Sequence, residues 1–386
     1  MVIKNGNVFV NGKGFENCTI GIEKDRIETL SPHDSNLSDC AASGEVIDAS
    51  GCYVIPGLVD LHFHGCVGCD ISDHKLEDIG KMAAYELQNG VTAICPATMT
   101  LPESELAAVL STATEYLHAR SEGDISGADL VGINLEGPFV SQAKRGAQNP
   151  DYICDPDLSF FHHLTALAPG LAKLITIAPE LPGATEFIAE ASKTIRVSLG
   201  HSTANYQTAK EAFEKGARHV THLFNAMPPF AHRDTGIVGA AFDDKRVRVE
   251  LISDGIHVSA PMIRAAFQLY TDDRIVLISD SMRAAGMPDG SYTLGGQGVT
   301  VHGKLATLKD GTIAGSVTNL MNCLRYAVKE ASIPLASAVK AATINPALEL
   351  SIEKDYGQIT PGAMADLVIL DKDLEIRSII FKGAVL

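Results

Sequence analysis

The chain has 386 residues, 46% hydrophobic and 20% charged, enough for one barrel-sized domain with a smaller companion. Its formal net charge of −16 argues against nucleic acid or an anionic membrane surface as partner, since both select basic proteins. An anionic small substrate stays allowed, because a local arginine or a helix N-terminus binds phosphate inside an acidic protein.

The segment Met1-Val2-Ile3-Lys4-Asn5-Gly6 has no basic stretch leading into an apolar one, so no secretory signal is expected. No run of about 18 apolar residues occurs, so no transmembrane helix is expected either. The eight cysteines are scattered, and Cys66-x-x-Cys69 has no second pair. They read as reduced thiols of a cytoplasmic protein, with Cys66 placed to line the cavity near His64.

Residues 2 to 53 read as short strands with turns. Asn5-Gly6, between Val2-Ile3-Lys4 and Val8-Phe9-Val10, is a hairpin signal, and Asn11-Gly12 after Val10 is another. Thr19 to Ile22, Arg26 to Leu30 and Val46 to Asp48 continue the pattern around a polar loop from Ser31 to Ser43.

From Tyr53 the rhythm becomes apolar strand, loop, helix. The eight expected strands are Tyr53 to Phe63, Val91 to Cys95, Leu130 to Leu135, Leu174 to Ala178, Ile195 to Leu199, His219 to Leu223, Val247 to Ile252 and Arg274 to Ile278. Helices fill the gaps: Glu77 to Asn89 stops at Gly90, Thr100 with Glu103 makes a capping box, and Ser202 or Thr203 caps a helix ending at Gly216. Nearly all-apolar strands alternating with helices predict a parallel (β/α)8 TIM-like barrel. A doubly wound open sheet is the alternative, but no Gly-x-Gly-x-x-Gly follows any strand.

Beyond the eighth strand, Ser291 to Leu294 and Val299 to Val301 predict short strands or a flap, and Leu320 to Glu330 and Leu335 to Ala342 predict helices. Residues Gly357 to Leu370 predict a strand-turn-strand that pairs with the N-terminal strands. The expected division is therefore a small β-sandwich from 1–54 plus 358–386 and a barrel over 55–357.

Barrel active sites lie at the C-terminal ends of the strands. Strand one runs into His62 and His64, whose spacing puts both rings on one face. A His-x-His pair is by itself a weak signal. Strand three ends in Glu136, strand five in His201, strand six in His222 and strand eight in Asp280. Glu136, His201 and His222 offer one carboxylate and two imidazoles, the donor set of a catalytic zinc with an open position. His62 and His64 could complete a second site with Glu136 bridging. Asp280 is then placed to take a proton from water and return it to a leaving amine, unless it merely caps a helix at Ser281-Met282-Arg283.

These residues resemble the amidohydrolase superfamily, as does the Gly-x-Ile-x-x-Gly-x-x-Ala-Asp-Leu-Val pattern at 357–368. Within it, Leu135-Glu136-Gly137-Pro138-Phe139, Gly200-His201-Ser202, Thr221 to Met227, Asp254 to Val258 and Ala284 to Met287 are similar to the N-acetylglucosamine-6-phosphate deacetylase family. That resemblance implies a divalent metal, zinc or iron, on Glu136, His201 and His222, with Asp280 as acid and base. It implies one or two ions per subunit, since members with His-x-His hold two.

The resemblance further implies that Asn225, the Ala226 backbone, Arg233 and His257 hold a phosphorylated amino sugar, with Arg233 reaching across a homodimer interface. Ala147 and Gln148 match a substrate loop, Gln148 standing where some members have histidine, and Ile313, Ala314 and Gly315 match a substrate-lining turn. Read without the resemblance, Arg233 could be an ion pair with Asp234, His257 a helix-end histidine, and His162-His163 surface residues of a helix. Many cyclic-amide hydrolases of the superfamily bridge two metals with a carboxylated lysine after strand four; here that strand runs into Ala178-Pro179-Glu180. The remaining alternative is a scaffold without activity, expected to have lost metal ligands.

Overall fold

The apolar run that starts at Tyr53 divides at Gly57. In the computed structural model, which describes residues 1–10, 12, 14–32, 45–121, 123 and 127–386, Tyr53–Pro56 joins the small sheet and Leu58–Asp60 opens the large parallel array. The chain passes so close to the neighbouring strand that a Cβ on Gly57 would lie 2.1 Å from Thr92 Oγ1. The Gly57 N–H donates to Asp366 C=O at 2.8 Å, stitching the joint to the C-terminal segment.

Two parallel sheets carry the site. One has the order Asp129–Leu130, Val91–Ile94, Leu58–Asp60; the other runs Ile133–Glu136, Ala172–Ile177, Arg196–Leu199, His219–Val220, Arg248–Ile252, Ile275–Ile278. The expected third strand divides at Val131-Gly132 and gives an edge to each sheet. An Ala97–Asn134 bridge joins the sheets on that side, and the Asp280 N–H donates to His62 C=O at 2.9 Å on the other. Burial on both faces explains the unbroken apolar runs, because helices cover one side and strand side chains fill the other.

Helix Leu76–Gln88 buries Ile79, Met82, Ala83 and Leu87 as its spacing predicts. Two expected helix starts are corrected. Helix Glu103–Ser121 begins without Thr100, whose Oγ1 is buried and unpartnered. Helix Tyr206–Lys215 is capped by Asn205, which accepts from the Thr208 N–H, while Ser202 and Thr203 bond to Glu180 instead. Ile344–Leu350 is a further helix, one that the sequence pattern alone does not predict. His162 and His163 lie exposed on Leu158–Leu167, as expected.

Both chain ends build one mixed sheet, ordered Ala384–Val385, Ile376–Phe381, Leu367–Leu370, Tyr53–Pro56, Val2–Val10, Gly14–Glu23, Arg26–Pro32, with Val46–Asp48 beside Val2–Val10. Asn5-Gly6 is not a hairpin turn: it lies inside Val2–Val10, where the pairing shifts register between Ile3 and Gly6. The next turn is as expected, with Val10 opposite Gly14, although Asn11 itself lies outside the described residues. So does the expected loop over residues 33–43. Residues 357–366 form no strand before Leu367–Leu370. Ile3, Val8, Ile20, Val54, Leu367 and Ile369 form the core of this unit.

Candidate metal centre

Three of the side chains singled out above sit two residues beyond a strand, on turns that aim them into one cleft. His201 follows Leu199, His222 follows Val220 and Asp280 follows Ile278, and all three have positive φ, at 46°, 25° and 48°. For residues with a Cβ this left-handed conformation is strained, and it persists only where surrounding contacts enforce it. Glu136 is the last residue of its strand. His62 and His64 lie past the end of Leu58–Asp60, yet their ring centroids are 5.5 Å apart on one side of the chain.

Glu136 is the hub. Its Oε1 lies 3.1 Å from His201 Nε2 and 3.0 Å from His222 Nε2, and those two nitrogens are themselves 3.0 Å apart. On the other side His62 Nε2 lies 3.4 Å from Oε1, and His64 Nε2 lies 3.3 Å from Oε2. Asp280 Oδ1 stands 3.4 Å from His64 Nε2 and 3.7 Å from His62 Nε2. Burial opposes charge on Glu136, but the facing His62 and His201 outweigh it and hold the carboxyl well below its ordinary range.

Among the described residues, Glu136 thus belongs to two groups whose ligand atoms lie within 4.8 Å of one another, with His201 and His222 in one and His62 and His64 in the other. The donor set fits a divalent cation. His62 Nε2 is buried with no hydrogen-bond partner, and the imidazole nitrogens of His201 and His222 converge on the same carboxylate oxygen. Neighbouring groups orient the rings, as is usual around metal ligands. His201 Nδ1 faces Lys144 C=O at 2.9 Å, His64 Nδ1 faces Ala97 C=O at 3.0 Å, and His62 Nδ1 faces Glu250 Oε2 at 2.9 Å.

The cleft above these groups has a volume of about 360 Å³ and is lined by Ala147, Gln148, Asn225, Ala226, His257, Ile313 and Gly315, with Asp280 on its floor. Not every expected substrate residue is there. Ala314 is fully buried in an apolar cluster with Met282 and Leu294 and is not among the residues lining the cleft. Arg233 is exposed on the loop before helix Gly236–Asp243 and makes no ion pair with Asp234 among the described residues. Cys66 is buried outside this cleft, its Sγ 3.9 Å from Met82 C=O, and faces Cys69 across a short hairpin; the described cysteines are free thiols.

Gln148 lines the cleft but is already engaged. Its Nε2 donates to Glu136 Oε2 at 2.6 Å and its Oε1 accepts from the Thr100 N–H at 2.7 Å. Asp280 caps no helix, since none starts beside it. His257 Nδ1 is held by Asp254 Oδ2 at 2.7 Å, ahead of helix Ala260–Tyr270 rather than at its end.

Four residues that matter here escape a reading of the sequence: Glu250, His219, Glu349 and Glu180. Glu180 accepts from Ser202 Oγ and Thr203 N–H, both at 2.6 Å, and so fixes the turn that carries His201. Glu250 was legible as an anomaly, an acidic residue between the apolar Val249 and Leu251 of strand Arg248–Ile252.

An amidohydrolase family model matches residues 53–386. The chain is 34% identical to the N-acetylglucosamine-6-phosphate deacetylase of Bacillus subtilis (strain 168), over 99% of this chain and 96% of that protein. It is likewise 34% identical to the N-acetylgalactosamine-6-phosphate deacetylase of Escherichia coli O157:H7, over 85% and 86%. A mutant N-acetyl-D-glucosamine-6-phosphate deacetylase from Mycobacterium smegmatis, solved with N-acetyl-D-glucosamine-6-phosphate, superposes with a TM-score of 0.91 at 31% identity, covering 100% of this chain and 98% of that one. By sequence over its whole length and by fold, this chain belongs to the amidohydrolase family and, within it, to the N-acetylglucosamine-6-phosphate deacetylase family.

Proposed function

We propose that this protein hydrolyses the 2-acetamido group of N-acetylglucosamine 6-phosphate, giving glucosamine 6-phosphate and acetate. The observation that carries the reading is the meeting of Glu136, His201 and His222 with Asp280 at one cleft floor, in a chain related along its whole length to such deacetylases. Glu136, His201 and His222 would hold a divalent ion, zinc or iron, which would supply Lewis acidity toward the amide carbonyl and lower the pKa of water. His62 and His64, with Glu136, would hold a second ion.

Asp280 accepts the proton of the attacking water and delivers it to the departing nitrogen. The strained turn at Asp280 keeps its carboxylate beside the imidazoles of His62 and His64. Asn225, the Ala226 backbone and His257 line the cleft where the sugar phosphate would sit; Nδ1 of His257 is engaged by Asp254, leaving Nε2 for the ligand. Ala147, Ile313 and Gly315 shape the wall. Gln148 supports Glu136, so its contact with substrate is secondary. Ala314 serves the wall only by packing behind it.

We read the two parallel sheets as one closed (β/α)8 barrel and the terminal sheet as a β-sandwich, with the expected boundary at 54/55 moved to Gly57 because Tyr53–Pro56 pairs in the terminal sheet. Arg233, exposed and without an ion pair among the described residues, suits a role in the neighbouring cleft of a homodimer. No helix of the described residues is long and apolar enough to cross a membrane, and we assign the enzyme to the cytoplasm.

The test is acetate release from N-acetylglucosamine 6-phosphate, N-acetylgalactosamine 6-phosphate and their unphosphorylated forms. We expect turnover of the phosphorylated glucosamine derivative. Asp280→Asn should lower kcat by about 10²–10⁴-fold with substrate binding largely kept, the range of a lost general acid–base. Absence of acetate from every substrate would overturn the assignment, and equal turnover by mutant and wild type would remove Asp280 from its role. Preference for the galactosamine derivative would move the assignment to that sugar.

A further inference from the structure

A chain of buried charged groups runs from the metal centre through the interior of the parallel strands to their opposite ends. Glu250 Oε2 accepts from His62 Nδ1 and from the His222 N–H, both at 2.9 Å. Glu250 Oε1 faces His219 Nε2 at 3.0 Å, and His219 Nδ1 faces Glu349 Oε2 at 2.8 Å. Glu349 Oε1 accepts from Arg248 Nη1 at 2.6 Å, and its Oε2 lies 3.1 Å from Arg196 Nε. His62, Glu250 and His219 are fully buried and Glu349 is 3% exposed. Arg196, His219 and Arg248 are each the first residue of their strands, and Glu349 comes from helix Ile344–Leu350, so the chain spans the strands end to end.

Donor and acceptor capacity fixes the direction of these bonds. Ionised carboxylates only accept, so a ring wedged between Glu250 and Glu349 must donate from both nitrogens, which makes His219 an imidazolium. Its charge, with those of Arg196 and Arg248, keeps both carboxylates ionised in a dry interior where an unpaired charge is costly. Burial opposes charge on Glu349, but the His219 hydrogen bond overrides it and holds the carboxyl at about 2. Glu250, being acceptor only, requires the proton of His62 to sit on Nδ1. That leaves Nε2 of His62, 3.4 Å from Glu136 Oε1 and with no hydrogen-bond partner, as the atom free to meet an ion.

We propose that Glu250, His219 and Glu349 are a positioning chain for His62, and that this chain decides whether His62, His64 and Glu136 hold a second divalent ion. His201 draws on separate supports, Lys144 C=O at its ring and Glu180 at its turn, and His222 meets the chain only through its backbone N–H to Glu250, not through its ring, so the ion on Glu136, His201 and His222 is less dependent on the chain. The inference rests on the metal-dependent function proposed above.

The experiment is zinc titration of the metal-stripped full-length protein by calorimetry, with bound zinc counted per subunit by mass spectrometry after desalting. Wild type, Glu349→Gln, His219→Gln and, as the scale for complete loss, His62→Gln are compared, together with thermal midpoints of the metal-free forms. Wild type should bind two zinc ions. Glu349→Gln and His219→Gln should bind one with affinity within about threefold of wild type and the other about 10–100-fold more weakly, the usual effect of removing an outer partner of a ligand. Several outcomes overturn the proposal: two ions of unchanged affinity in Glu349→Gln, equal weakening of both ions in step with a lower thermal midpoint, or one ion only in wild type. If His219→Gln does not fold, the Glu349→Gln result decides. A wild type that binds no zinc or iron at all would instead overturn the metal-dependent function itself.

Discussion

Glu136 is met from every side: two imidazole nitrogens lie beside one oxygen and the Gln148 amide donates to the other. A carboxylate with all its directions specified can meet an ion only in one orientation, which is what a catalytic site needs. Gln148→Ala removes the amide donor while leaving every ligand in place. It should weaken metal binding by about 10–100-fold, read by zinc titration, with a smaller change in KM than the loss of a direct substrate contact would give. Asp366 offers a test away from the site. Burial raises its carboxyl to about 7 from an ordinary 3.8, although the Lys382 N–H donates to it. A folded value above the unfolded one means that the stability it contributes is complete below pH 3.8 and is lost as pH rises through 7. Asp366→Asn should therefore melt higher than wild type at pH 8, and the gain should vanish near pH 4. A gain that did not change with pH would contradict the buried neutral acid.

Three of the functional side chains stand where a short strand hands over to a strained turn. The strand supplies rigidity and the turn supplies aim. His201, His222 and Asp280 repeat this device, with the positive φ of each held by bonds to neighbours: Ser141 N–H to His201 C=O, His222 N–H to Glu250 Oε2, and Ser316 N–H to Asp280 C=O. Gly57 is the joint where the chain leaves the terminal sheet for the parallel array. With Thr92 side-chain atoms 2.1 to 2.7 Å from where its Cβ would be, Gly57→Ala must push the two strands apart. The expected cost is about 1–3 kcal/mol, the usual penalty of overpacking, seen as a lower denaturation midpoint in urea. Because His62 and His64 follow this joint, metal affinity should fall along with stability.

At the scale of the molecule, ligands from separate strands meet at one point, so an ion there acts as a tie across the array. Binding that favours the folded state stabilises by about 2.7 kcal/mol at a hundredfold excess over Kd. Removal of metal by a chelator should lower the melting temperature by several degrees, and zinc should restore it, as followed by calorimetry. No change on chelation would mean that the residues do not hold an ion in the folded protein.

Period and composition determined much of this protein. Apolar runs broken by helical stripes specified parallel strands covered by helices, because a strand buried on both faces cannot alternate in polarity. Strand ends then pointed to His62, His64, Glu136, His201, His222 and Asp280, and the motifs around them to the family. Local breaks were harder to read. Gly57 and Val131-Gly132 interrupt runs that look continuous, since what divides them is the partner each half pairs with. Thr100 and Ser202 satisfy the rule for helix caps, but Thr100 gives its N–H to Gln148 and Ser202 its hydroxyl to Glu180, contacts across 48 and 22 residues. Ala314 sits in a lining motif yet is fully buried and absent from the cleft wall. The chain from Glu349 through His219 and Glu250 to His62 could only be decided in three dimensions, because hydrogen bonds between distant segments follow from where strands converge and leave no period in the sequence.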